Sequence, residues 1–339
     1  MPDPRLKTHA PEAVRHLISA GKTLAARQVS AGANRGNVPP WPGADDVDFH
    51  GTLSAIWLWA RHQRLSGAPR FEDARDAGWE FATRAVTRFI PDAIDSTAGE
   101  EAAYDCALAL LAATAERALG PVEPARQALA DRAARVLSTY LAGLEDLAGR
   151  EFCDPGFLAY ALIEYANAAG DRGLVAGGRK LVERAFGMKP PGSFASEPSA
   201  PGGLFDFSST TATRILAVMA AEGNTPFVGA WLRERVAAGA PSGFIARKRD
   251  ENTWNACAAW ALGRAYVVST DRRLLESYSA VVDEIERRDT DRDRAIGRDR
   301  TVRVPETAAT FYYALAVDAL VTPESANAAA AEAGSGGGA

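Results

Sequence analysis

Six stretches of this chain open on or beside an acidic residue and pass at once into an Ala- and Leu-rich run. They begin at Phe49, Glu100, Asp154, Asp206, Glu251 and Pro305, and typical members read EEAAYDCALALLAATAE and ENTWNACAAWALGRAY. Their starts lie roughly fifty residues apart, a spacing that belongs to stacked supersecondary units. No such unit can bury its apolar face alone, so the repeats must pack on one another. This periodicity limits the fold more than any other feature of the chain.

Most of these apolar runs are followed by a turn with Gly, Asp or Asn and then an amphipathic stretch. Examples are GDRGLVAGGRKLVERAF at 170–186 and DRRLLESYSAVVDEIERR at 271–288. A helix apolar on all faces is buried, whereas one with a charged face lies outside. The reading is therefore six inner and six outer helices. The last inner helix, near Glu306–Val321, has no outer helix after it, and Pro11–Ser30 has no inner helix before it. Pairing these two predicts an all-α fold, an (α/α)6 toroid, as a single domain over 1–322. The Ala/Gly-rich tail at 323–339 reads as disordered.

Composition narrows the function classes. Of the 339 residues 47% are hydrophobic and 24% charged, with a net charge of −5. No basic stripe points to nucleic acid, and no apolar run is long enough for a membrane span. The first residues, MPDPRLKTHAPEAVRHL, lack the apolar core of a signal peptide. Three cysteines, Cys106, Cys153 and Cys257, do not form a disulfide framework. Together these features lead to an expectation of a cytoplasmic protein. The expected partner is a small-molecule or oligosaccharide substrate, and no oligomeric state is read from the sequence.

If the inner helices run parallel, their starts converge on one rim. Helix starts carry unpaired N–H groups and a partial positive charge. The longer connections precede the inner helices, and loops on a rigid scaffold commonly carry function. Most rim acids have an ordinary task as N-caps. Paired acids facing one cavity have another, general acid–base chemistry on a sugar. The candidate catalytic residues are Asp154, Asp206, Asp95 and His50, the last being the histidine at an inner-helix start. Candidate substrate-binding residues are Trp57, Trp254 and Phe205 as stacking faces, Asn252 and Glu306, and Arg247 and Arg249 for a substrate carboxylate.

Neither a metal nor a cofactor is expected. The cysteines and His50 have no CxxC or HxxxH spacing. ADDVDF at 44–49 is not a clean magnesium–diphosphate motif, and no Gly-rich phosphate loop or GxSxG is present.

The phrases ALIEYANAAGDRGLVAGGRKLVERAF and ALGRAYVVSTDRRLLESYSAVVDEI resemble the six-hairpin glycosidase-like families. These include unsaturated glucuronyl hydrolases, polysaccharide lyases and N-acylglucosamine 2-epimerases. The resemblance is architectural and covers about residues 11–321. It implies acid–base chemistry by acids at inner-helix starts, which Asp95, Asp154 and Asp206 would match. The epimerases use barrel histidines, of which His50 alone is placed here. WLRERVAAGAPSGFIARKRDENTWNACAAWAL more weakly resembles a prenyltransferase or squalene-cyclase repeat, but the DxDD acid is absent. Lanthionine cyclases share the toroid, but their Cys–His zinc motifs are missing. The leading expectation is a glycoside hydrolase or lyase acting on an acidic or unsaturated oligosaccharide. A terpene cyclase and a non-catalytic helical binding ring are the alternatives.

Overall fold

The computed structural model describes residues 6–94, 99–144, 155–186, 216, 219–220, 251–289, 294–299, 301, 304–322 and 325. They form ten α-helices and, among the described residues, no strand beyond two isolated bridges. No described helix is long and apolar enough to cross a membrane. The helices are α1 (Leu6–Arg27), α2 (Phe49–Ser66), α3 (Glu72–Phe89), α4 (Glu100–Arg117) and α5 (Pro124–Gly143). They continue as α6 (Pro155–Ala169), α7 (Arg172–Phe186), α8 (Asn252–Ser269), α9 (Arg272–Arg288) and α10 (Thr307–Asp318).

Local chemistry sets the helix ends. Asp48 stands at the N-cap of α2 in an extended conformation and accepts the Gly51 N–H at 2.8 Å. That satisfies one of the orphan donors of the first turn. Gly67 closes the helix at φ 67°, returning its N–H to the Gln63 carbonyl. Pro124 opens α5 at a position where a missing N–H costs nothing. Asp271 caps α9 by accepting the Arg273 N–H at 3.0 Å.

Burial separates two kinds of helix. In α2, α4, α8 and α10 nearly every residue past the first turn is buried. In α9 burial is a single stripe of Leu274, Leu275, Tyr278, Val281 and Ile285, with charge on the remaining face. The spacing of that stripe is the mark of a helix lying on a core.

The neighbours run in order. α2 packs on α4, α4 on α6, α8 on α10, and α10 on α2. The amphipathic helices lie against them, α3 on α2, α5 on α4 and α6, α7 on α6 and α9 on α8. α1 packs on both α2 and α10, so the first and last described helices meet. Side chains fasten this seam. Arg27 donates to the Pro305 carbonyl at 3.0 Å, and Thr307 donates through Oγ1 to Pro39 and through its N–H to Pro40, both at 2.8 Å. Arg61 reaches Asp318 at 2.6 Å. Gly263 lets α8 approach closely, since a Cβ there would lie 2.7 Å from that of Ala319 and 3.2 Å from the Tyr278 ring.

The packed helices share one direction. The opening turns of α2 and α4 touch through His50 and Asp105. The first halves of α4, α6 and α10 touch through Tyr104, Phe157 and Tyr312. The far ends of α2 and α10 touch through Arg61 and Asp318. Between these ends the interior is filled with rings. Trp57 meets Phe311 edge-on at 5.4 Å, and Tyr160 meets Trp260 at 4.9 Å. Such contacts add to the large area that each ring buries.

Candidate functional site

One chemically distinctive cluster lies where the inner helices begin. His50 follows Phe49 at the start of α2, and its Nδ1 lies 2.5 Å from Asp105 Oδ1 of α4. The Asp105 side chain is 3% exposed, while that of His50 is 36% exposed. Because Asp105 holds the Nδ1 edge, the solvent-facing edge of the imidazole is the one bearing Nε2. Among the described residues Nε2 has no hydrogen-bond partner. The Tyr104 ring stands edge-on to His50 at 5.2 Å, and its hydroxyl lies 2.9 Å from that of Tyr312. Phe157 flanks both tyrosine rings.

The charges around the pair are acidic. Burial pushes the Asp105 carboxyl up to about 6, against the lowering pull of His50. For His50, burial favours the neutral ring, but the hydrogen bond and charge of Asp105, with Asp48 and Glu101, outweigh it and leave the pKa above its ordinary value. The two therefore share protons as a coupled pair. Burial also raises Asp48, against its bond from Gly51 and the charge of His50. Glu306 is raised by burial, opposed by Arg298 and reinforced by Asp48 and Asp299. Cys106 is next to Asp105 in sequence, but it is fully buried and its thiol is driven far up by that burial, so it is no nucleophile.

The sequence candidates divide sharply. His50 is at the mouth, and Glu306 is half-buried at the N-cap of α10. Trp57 is 7% exposed and sits inside against Phe311, so it offers little surface to a ligand. Trp254 is half-buried against the core. Asn252 is 2% exposed and acts as a fastener, donating to the Gly297 carbonyl at 2.9 Å and accepting from Arg288 at 2.8 Å. Asp95, Asp154, Phe205, Asp206, Arg247 and Arg249 lie outside the described residues, as does most of the 323–339 tail.

Sequence reasoning missed Asp105, Tyr104 and Tyr312. The available signal was an acid set inside the otherwise apolar run AAYDCALALLAA. A buried carboxylate has to find a partner.

Two other groups of polar or reactive side chains lie away from the mouth. A cavity of about 350 Å³ opens on the outside between α1 and α9, lined by His16, Glu286 and Arg294 among others. Glu286 is the hub of its charged groups. Glu286 meets His16 at 3.2 Å and Arg294 at 2.9 Å, and accepts the Tyr313 hydroxyl at 2.8 Å. Cys106 and Cys257 are buried and in no disulfide, and among the described residues no three His, Cys, Asp or Glu side chains gather as a metal site requires.

No family model, curated protein or solved structure matches this chain. The reading of function therefore rests on the site.

Proposed function

We propose that the chain is an (α/α)6 toroid enzyme that performs general acid–base chemistry on a carbohydrate, with the His50–Asp105 pair moving the proton. The contacts of α1 with α2 and α10, and of α10 with α2 and α8, support that reading. The observation that carries the activity is the geometry of the pair. A buried carboxylate fixes the imidazole through Nδ1 and leaves Nε2 facing the mouth, the arrangement of an oriented base or acid.

The surroundings favour one kind of transition state. Glu101, Asp48, Asp105 and Glu306 place negative charge around the mouth, which stabilises a reacting centre that becomes positive. Glycosidic cleavage passes through an oxocarbenium-like state of that sign. Hydrolysis is therefore the leading reaction and elimination the second. Asp154 and Asp206 remain candidates for the second carboxylate. Arg247 and Arg249 remain candidates for the carboxylate of an acidic or unsaturated oligosaccharide.

A terpene-cyclase reading has one supporting observation, the rings of Trp57, Phe311, Tyr312, Phe157 and Trp260, since aromatic faces stabilise cations. It ranks below the sugar reading because an acidic mouth repels a diphosphate and Asp48 is engaged as a helix cap. A non-catalytic ring ranks lower again, because it gives no use for the pair.

The test is turnover of an oligosaccharide panel, with and without terminal unsaturated uronic acid, analysed by mass spectrometry. Addition of water on cleavage of a saturated substrate marks a hydrolase, and a new 4,5-unsaturated product marks a lyase. Turnover of prenyl diphosphates instead would overturn the proposal. So would full sugar activity in both His50→Asn and Asp105→Asn.

A further inference from the structure

At the opposite ends of the inner helices lies a second polar cavity. It has a volume of about 190 Å³ and is lined by Tyr160, Glu164 and Asn167 of α6, by Arg264 of α8, and by Leu216, Met219 and Ala220. By liquid volume that is room for about six waters. Asn167 spends its amide on the Ala220 carbonyl at 3.2 Å. Among the described residues, the Tyr160 hydroxyl, the Glu164 carboxylate and the Arg264 guanidinium have no hydrogen bond or ion pair.

Glu164 and Arg264 are both half-buried and feel each other's charge, yet they do not close into a salt bridge. Burial raises the Glu164 carboxyl while Arg264 pulls it down. The nearby Asp318 is already engaged by Arg61 at 2.6 Å, so it does not neutralise Arg264 at contact. A cation and an acid stand apart across one small space, with apolar side chains beside them. Polar groups that converge on one space beside an apolar patch can fix the orientation of a small molecule.

The charges choose the ligand. A simple anion on Arg264 would sit beside Glu164, and a simple cation on Glu164 would sit beside Arg264. A molecule carrying both charges satisfies both walls. We propose that this cavity is a second binding site, distinct from the His50 mouth, for a small amino acid held as its zwitterion. Its carboxylate lies on Arg264, its ammonium on Glu164, and its apolar side chain against Leu216 and Met219. The site does not depend on the carbohydrate reading.

The probes are L-leucine and L-methionine, with 4-methylpentanoate lacking the amine and isopentylamine lacking the carboxylate. Binding is followed by calorimetry on the full chain, and a ligand of the folded state also raises the melting temperature. The amino acids are expected to bind saturably. Each single-charge analogue should bind at least about tenfold more weakly, because it leaves one charged wall without a charge-assisted bond. Glu164→Gln should weaken leucine but not 4-methylpentanoate, and Arg264→Met should weaken both. Arg264→Lys, which keeps the charge, serves as the second variant, and circular dichroism checks that each variant folds. The proposal falls if neither amino acid binds, if 4-methylpentanoate matches leucine, or if folded Glu164→Gln and Arg264→Met keep the wild-type affinity.

Discussion

Asp105 and Glu116 lie on the same helix, α4, and both are buried, but they are satisfied to very different degrees. Glu116 is ringed. Arg126 donates to it at 2.8 Å, Arg75 lies at 3.4 Å and the Trp79 indole N–H at 3.3 Å. Asp76 takes the other side of Arg126 at 3.0 Å, and the guanidinium lies over the Trp79 ring. Asp105 has one side-chain partner, His50, and its carboxyl is pushed up to about 6 by burial. A fully satisfied polar network rigidifies a core, and a partly satisfied one keeps its protons in play. On one helix the chain has built a strut and, on the function proposed above, a proton carrier, and the number of partners tells them apart.

The sharpest way to break this comparison is to remove each acid. Asp105→Asn is expected to lower kcat/KM on the sugar substrate by about 10²–10⁴-fold, with a melting temperature near that of wild type. Glu116→Ala should do the reverse. It leaves two buried arginines short of their shared acid and should cost about 3–5 kcal/mol in denaturant unfolding, with the folded fraction as active as before. If Glu116→Ala lost activity without stability, the contrast between strut and carrier would collapse.

The pH dependence of stability sharpens it further. A carboxyl raised on folding favours the protonated native state, so its contribution is lost as pH rises from about 4 through the folded value of about 6. His50, also raised, loses its contribution as pH climbs past its ordinary range. His62 is the counterexample. Burial and Arg70 hold its pKa down to about 4, so the native state excludes its proton and stability is lost as pH falls toward that value. Melting curves from pH 4 to pH 8 should therefore show Asp105→Asn flattening the alkaline decline, and His62→Gln flattening the acid one. The smallest effect belongs to Tyr104→Phe. Losing the hydroxyl contact with Tyr312 should cost about 0.5–1.5 kcal/mol, read as a shift of denaturant midpoint.

The helices were legible because their signals are local. The repeat starts at Phe49 and Glu100 open α2 and α4 at those residues, and Asp154, Glu251 and Pro305 fall within two residues of α6, α8 and α10. Periodicity sorted the buried helices from the amphipathic ones for the same reason. The need to pair Pro11–Ser30 with the last inner helix came from counting faces, and α1 does pack on α10. The site was legible only in outline. His50 could be placed at a helix start, but its partner is 55 positions away in sequence, and no spacing rule connects the two. Asn252 and Trp57 show the converse. A residue at a helix start or inside an apolar run has the same local sequence whether it faces a cavity or a neighbour, and only tertiary packing decides between them.

The seam between the ends has a consequence for how the molecule is made. Asp318, near the end of the last described helix, grips Arg61, which left the ribosome 257 residues earlier. α10 fills the place between α2 and α8, and α1 lies across it. Until those final turns emerge, the earliest helices have an open flank and an apolar face exposed to water. Contacts this far apart in sequence slow folding, because the chain entropy is lost before the contact is gained. Growth at about 5–20 residues per second leaves the nascent chain unfinished for many seconds. During that interval the faces that α1 and α2 bury against α10 are without that partner.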